Sequence, residues 1–157
     1  FEKKYEDQWL KMMKEKLGLF SNDEKDKFLI LDLLTWMHQK KVDYTNTFCY
    51  LMNEKIVEDN CYEDKDFQDW KKRWNERLKT NNNTPEKYEK LMKTDKPIVI
   101  QRNHKVEEAL EESKKDNLNS INELIKVLKD PYSHQKNILD YQIVSNSDEK
   151  YQTFCGT

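Results

Sequence analysis

The sequence predicts an all-α fold: a single irregular helical domain of about six to eight helices with a partly extended C-terminal tail. Three observations point there. Only two Gly and three Pro occur in 157 residues, too few turn formers for a strand-rich fold. Apolar residues recur three and four apart along most of the chain, the spacing of one helix face. Four Trp, eight Tyr and six Phe supply core volume that a disordered chain lacks. They do so although charged residues reach 37% and mean hydropathy is −1.12.

One domain is expected over residues 1–157, with a helical body at 1–132 and a tail at 133–157. The first helix is expected at 2–17, with Tyr5, Trp9, Met12, Met13 and Leu17 on its apolar side. Gly18 fits its stop, because glycine takes a left-handed backbone without a Cβ clash. The second helix, 23–40, has Ser21 or Asn22 as candidate caps and Asp23 and Glu24 at its positive end. Phe28, Leu29, Ile30, Leu31, Leu33, Leu34, Trp36 and Met37 leave it little polar face, so it reads as the central, most buried helix. Asp32 inside that run needs a partner or water.

Asp43 or Thr45 is the expected cap of a third helix carrying Phe48, Leu51, Met52 and Ile56. A polar loop follows at 58–64. The fourth helix, 65–79, carries a stripe of Phe67, Trp70, Trp74 and Leu78. Thr84-Pro85-Glu86 is a strong helix start, with cap, proline and acid in order, and that helix is expected to end near Thr94. Pro97 opens a short extended stretch at 98–100. Asn103 is the expected cap of a helix with Val106, Ala109 and Leu110. Asn117 or Asn119 is expected to cap the next, with Ile121, Leu124, Ile125 and Leu128, and Pro131 stops it. The tail holds Ile138, Tyr141, Ile143, Tyr151 and Phe154 with weak periodicity.

The composition excludes several functions. Phosphate-cradling loops need glycines, and only Gly18 and Gly156 occur, so no nucleotide loop is expected in this chain. Cys49, Cys61, His38 and His104 lack the paired spacing of a zinc site. No Gly-x-Ser-x-Gly elbow exists, and a Cys–His nucleophile is disfavoured. Hence no catalytic residue, cofactor-binding residue or metal ligand is assigned. The pairs Asp64/Asp66 and Glu107/Glu108 read as solvated helix faces.

The stretch Trp70-Lys71-Lys72-Arg73-Trp74 with Arg77 mixes bases and aromatics, as a nucleic-acid platform would. Spacing i and i+4 instead puts both Trp on one buried face with the bases pointing away. With 28 basic and 30 acidic residues, net −2, no nucleic-acid partner is expected. No apolar run of roughly 18 residues suggests a membrane partner. Three cysteines without regular spacing favour a reducing, cytoplasmic setting. The chain begins at Phe1 without Met and reads as a piece of a longer protein. Such a piece is expected to expose an apolar patch, with Tyr5, Trp9 and the tail aromatics as candidates.

Several phrases together resemble one family. They are Trp9, Met12 and Lys16-Leu17-Gly18-Leu19; Leu33-Leu34, Met37 and Asp43-Tyr44-Thr45 with Phe48 and Leu51; and Pro97, Ile100 and Arg102-Asn103 with Glu108-Ala109-Leu110. To these add Leu124, Leu128 and Pro131-Tyr132, and the tail Phe154-Cys155-Gly156-Thr157. In order and spacing they resemble the C-terminal part of the selenoprotein O family, also called YdiU, protein adenylyltransferases of pseudokinase fold. One departure is Cys49, where many members have Arg.

The resemblance implies a longer protein that moves AMP from ATP to protein Ser, Thr or Tyr using Mg²⁺. Its nucleotide and metal groups would belong to a preceding catalytic core, which would be this chain's partner alongside the protein substrate. It also implies a regulatory redox role for Cys155, through a disulfide with a cysteine of that core. Arg102, which capping does not explain, is expected to pair with an acid of this domain or of the core. The alternative is a free-standing helical interaction module without enzymatic context.

Overall fold

The computed structural model describes residues 2–54, 60–80, 84–94, 96–133 and 138–144. Among these it is all-α. In chain order the helices are α1 (Glu2–Lys16), α2 (Asp26–Lys40), α3 (Tyr44–Leu51), α4 (Lys65–Lys79), α5 (Pro85–Thr94), α6 (Asn103–Ser113), α7 (Asn119–Lys129) and α8 (Ile138–Gln142), with a 3₁₀ turn at Asn60–Glu63 before α4. α1 lies against α2 and α5, α2 against α4, and α6 pairs with α7.

The seam between α2 and α4 holds the largest side chains. Trp36 packs on Phe67 at 4.6 Å between ring centroids. Phe67 stacks on Trp70 at 5.7 Å, and Trp70 on Trp74 at 5.8 Å. Each indole N–H finds an acceptor, as a buried indole requires. Trp70 donates to the Leu29 carbonyl at 2.8 Å, Trp74 to the Leu17 carbonyl at 3.0 Å, and Trp36 to Asp64 Oδ1 at 2.9 Å. Both tryptophans of the basic stretch are therefore interior residues, as their spacing suggested.

Arg77 departs from that reading. It points inward at 9% exposure and pairs with Asp26, 1% exposed, through Nε–Oδ1 at 2.7 Å and Nη2–Oδ2 at 3.1 Å. Ser21 also accepts from Arg77, through its carbonyl and its hydroxyl. Asn22 Oδ1 accepts from Lys14. Neither Ser21 nor Asn22 caps α2, because tertiary partners hold both. Asp23 shapes the entry instead: its carboxylate accepts from the Lys25 N–H at 2.9 Å and its carbonyl from the Asp26 N–H at 3.0 Å. α2 thus starts at Asp26, three residues later than expected.

α2 is also less enclosed than expected. Phe28 is 69% and Leu31 40% exposed, because a straight helix cannot turn every side toward one neighbour. α3 is the more completely buried helix, with five of its eight residues interior against six of fifteen in α2. Asp32 reaches Arg73 at the surface, at 2.7 Å. Trp9 packs against the core rather than forming an exposed patch, whereas Tyr5 is exposed.

Gly18 ends α1 as expected. Its φ is +70°, and an added Cβ would sit 3.0 Å from Tyr88 Cβ on α5. The Gly18 and Leu19 N–H groups return to the Glu15 and Lys14 carbonyls, a Schellman closure. Asp43 caps α3 by accepting from the Asn46 N–H, and Asp64 caps α4. α6 and α7 have no side-chain cap at Arg102 or Leu118. Asn103 is the first residue of α6, and Asn117 Oδ1 accepts from the Asn119 N–H just before α7. Leu110 and Ile125 turn outward while Ala109, Leu124 and Val127 turn in. Within the tail, Ile138–Gln142 form a short helix, α8. Ile56, Tyr151, Phe154 and Cys155 lie outside the described residues.

Removing one partner of a buried ion pair strands the other charge. Arg77→Ala is therefore expected to destabilise the protein by roughly 3 kcal/mol in urea unfolding, the Lys14 amine, 3.5 Å from Asp26, offsetting part of the loss. Arg73→Ala, at an exposed pair, is expected to cost under about 1 kcal/mol. Equal effects would contradict the assignment of Arg77 to the core.

Candidate functional site

Segment 96–102 is irregular and forms no strand, yet Ile98 and Val99 are buried. Its backbone groups are held from three sides. The Ile98 N–H donates to the Pro131 carbonyl at the exit of α7, at 2.8 Å. The Ile98 carbonyl accepts from Gln142 Nε2 on α8 at 3.0 Å and from the Cys49 thiol on α3 at 3.7 Å. Asn46 Nδ2 in turn donates to the Gln142 carbonyl at 3.1 Å. This explains how a short stretch without a strand partner stays interior.

Arg102 closes the segment. Nη1 and Nη2 meet Asp43 Oδ2 and Oδ1 at 2.7 and 2.9 Å, a bidentate fork. Of the two partners expected for Arg102, the structure selects an acid of this domain. Asp43 thus serves twice, as cap of α3 and as anchor of segment 96–102. Burial pushes its carboxyl pKa up, but the Arg102 fork and the Asn46 N–H outweigh that and hold it below the usual value. Among the described residues, three buried polar atoms beside this network have no hydrogen-bond partner: Asn46 Oδ1, Gln142 Oε1 and Arg102 Nε.

Next to the network lies a cleft of about 190 Å³. Lys16, Tyr44, Thr45, Phe48 and Cys49 line one side, and Lys96, Pro97 and Ile100 the other. Lys96 is only 4% exposed. Its amine donates to the Lys16 carbonyl and sits 4.7 Å from the Phe48 ring centre. Burial, together with the Lys16 charge, lowers its pKa to about 7. Lys16 itself lies 5.6 Å from the same ring.

Cys49, where many members of the family are expected to have Arg, is 1% exposed. Burial first, then the Glu54 charge, raises its thiol pKa to about 11. A thiol so protonated at neutral pH is not a nucleophile. A larger hollow of about 530 Å³ borders Leu10, Lys14, Leu19 and Phe20. Its Lys14 is already engaged by Asn22 and Asp26, so it offers little chemistry.

Three phrases separated in the chain meet at this cleft: Lys16 of the first, Tyr44, Thr45 and Phe48 of the second, Pro97 and Ile100 of the third. The family model of protein adenylyltransferase SelO matches residues 1–129. The chain belongs to this family. It is 49% identical to the protein nucleotidyltransferase YdiU of Pelagibacter ubique over 158 residues, covering 100% of this chain and 33% of that protein. Identity is 38% to the YdiU of Clostridium perfringens strain SM101, covering 100% and 32%. It is 40% to that of Alcanivorax borkumensis, covering 100% and 33%. The chain thus spans about a third of the length of these relatives, and it matches their C-terminal part.

In this family domain Asp43 and Arg102 are each other's structural partners, and the Thr47 hydroxyl also donates to the Asp43 carbonyl at 2.7 Å. Asp64, read as solvated, is a junction instead. It accepts from Trp36 and from Lys40 at 2.6 Å, and these bonds, Lys40 first, draw its pKa down to about 2. Lys96 and Gln142 escaped the sequence reading. A lysine before Pro97 and a glutamine in a weakly periodic tail carry no local signal of burial. Among the described residues no helix is long and apolar enough to cross a membrane.

The low folded-state pKa of Lys96 makes a pH prediction. Between about pH 7 and the ordinary lysine value of 10.5, the unfolded chain binds more protons than the folded one, so stability rises with pH. Above about pH 9 the raised thiol of Cys49 opposes this, since the unfolded thiol ionises first. Lys96→Met should flatten the rise in unfolding free energy between pH 7 and 9 and leave stability at pH 7 equal or higher. A variant with the parental slope would exclude the buried amine as its source.

Proposed function

We propose that this chain is the non-catalytic C-terminal helical domain of a cytoplasmic protein adenylyltransferase. The longer protein moves AMP from ATP to hydroxyl groups of a protein substrate, with Mg²⁺, and the present domain supports its catalytic core. The observation that carries this reading is the family match over residues 1–129 by a chain that spans a third of its relatives.

The residues at hand do not fit ATP or Mg²⁺. The Gly18 amide is spent closing α1. Among the described residues no three His, Cys, Asp or Glu converge as a metal would require. No step of AMP transfer is therefore assigned to them. Arg102 acts as a positioning residue: by pinning Asp43 it sets α3 and segment 96–102, the two walls of the cleft.

The tail thiol Cys155 supplies the regulatory element. Its family-like setting, Phe154-Cys155-Gly156-Thr157, supports a disulfide with a cysteine of the catalytic core. Two thiols lose two protons and two electrons to an oxidant such as a low-molecular-weight disulfide, by thiolate attack and exchange.

Two measurements test this function. Mg-ATP titrated into residues 1–157 should give no saturable heat, and tight binding would overturn the non-catalytic assignment. In the full-length protein, Cys155→Ser should abolish the difference in AMP transfer between oxidising and reducing buffers. A difference that persists would remove Cys155 from the switch.

A further inference from the structure

Among the described residues the buried charged groups form closed sets, Lys96 apart. Asp26 meets Arg77 and Lys14, and Asp43 meets Arg102. Lys96 is as buried as these, yet among the described residues no carboxylate lies within 4.0 Å of it; its contacts are the Lys16 carbonyl and the Phe48 ring. The nearby acids are committed elsewhere, Glu54 to Lys93 at 3.2 Å and Glu15 to Lys11 at 4.0 Å. A buried amine that keeps its charge only at a cost is poorly served by a carbonyl and a ring alone.

The surface around Lys96 is apolar and open. Met12, Tyr44 and Ile100 are 41%, 40% and 37% exposed. Lys16 and Lys96 also line a second hollow of about 300 Å³ that continues the surface to Met12 and Leu91. An interior cation ringed by exposed apolar side chains is the layout of an interface centre, where an acidic group enters a desolvated pocket and apolar neighbours exclude water. The exposed Phe28 lacks this complement. Phe28 stands beside Asp26, Arg73 and Arg77, whose charges are already matched within the domain.

The occupant follows from charge and length. It must bring a carboxylate to the Lys96 amine, and some two thirds of the length of the relatives lies outside this chain. We propose that the cleft between α3 and segment 96–102 is the docking site of the catalytic region of the same polypeptide, which inserts an Asp or Glu side chain beside Lys96 and covers Met12, Tyr44 and Ile100. The proposal rests on the reading of this chain as one domain of a longer adenylyltransferase.

The test uses the full-length protein. Met12→Arg and Ile100→Arg place a charge at sites exposed in this domain, where surface substitutions ordinarily change little; Phe28→Arg is the comparison outside the cleft. Docking predicts that both rim variants lower the Tm by about 4 °C or more, beyond any change in Phe28→Arg, and reduce AMP transfer at least about fivefold, roughly 1 kcal/mol of activation free energy. Rim variants that melt no lower than Phe28→Arg would overturn the proposal. Carbodiimide coupling of mixed ¹⁴N and ¹⁵N protein then identifies the occupant: Lys96 or Lys16 joined to an acid of the preceding region within one copy supports docking, and products joining only different copies would replace it with a homodimer contact. Wild-type protein with no AMP transfer would refute the adenylyltransferase reading, while the melting and coupling results would still decide the docking.

Discussion

The seam of Trp36, Phe67, Trp70 and Trp74 between α2 and α4 holds the rest of the structure in place. Each of its indoles does two jobs, filling volume and tying an N–H to a distant acceptor. Trp74 reaches the Leu17 carbonyl at the end of α1, and Trp70 the Leu29 carbonyl in α2. The first bond fixes where α1 stops, and Gly18 follows at once with its left-handed turn against Tyr88 of α5. A misplaced α4 would therefore release α1, α2 and α5 together. The Asp64 carboxylate sets the start of α4 while accepting from Trp36, so the seam and its cap stand in one hydrogen-bonded unit.

The cleft depends on this frame at one remove. Lys16, one of its walls, is the last residue of α1, and α1 ends where the Trp74 bond and Gly18 place it. The opposite wall is set by Asp43. A carboxylate that caps a helix and also holds an arginine fork couples two elements that share no backbone pairing. Thr47 adds to this, donating to the Asp43 carbonyl and accepting from the Tyr62 hydroxyl at 3.3 Å. The phrase Asp43-Tyr44-Thr45 thus has a local reason in the cap and a long-range reason in Arg102.

Regular elements were legible because their signals are local. The 3.6-residue stripe of α4 and the Thr84-Pro85-Glu86 start of α5 predicted helices over 65–79 and from residue 85, and both agree with the structure. Candidate caps were ambiguous for a physical reason: Ser21 and Asn22 are good caps in isolation, but Arg77 and Lys14 compete for the same oxygens. The inward turn of Arg77 was illegible for the same reason, since its stripe neighbours Trp70, Trp74 and Leu78 gave no sign that Asp26, fifty-one residues away, would receive it. Of the cleft, Tyr44, Thr45, Phe48, Pro97 and Ile100 could be singled out by resemblance. Lys96 could not, because its meaning lies in which walls enclose it, and those walls come from α1, α3 and a segment without regular structure.

The contrast between the two kinds of buried charge bears on why Lys96 is a lysine at all. For the fold alone, an apolar side chain of similar length would serve at least as well, since burying an unpaired amine gains nothing that packing does not. Asp26 with Arg77 is different: their fork joins the start of α2 to α4 and satisfies Ser21 besides, so it contributes to the local geometry. Among the described residues Lys96 meets the Lys16 carbonyl and the face of Phe48, and neither contact answers its charge with an acid. A side chain whose charge is unfavourable within its own domain makes sense when the charge is answered from outside it. The apolar rim of Met12, Tyr44 and Ile100 points the same way, because a carboxylate entering there would be stripped of water and would strengthen the amine it meets.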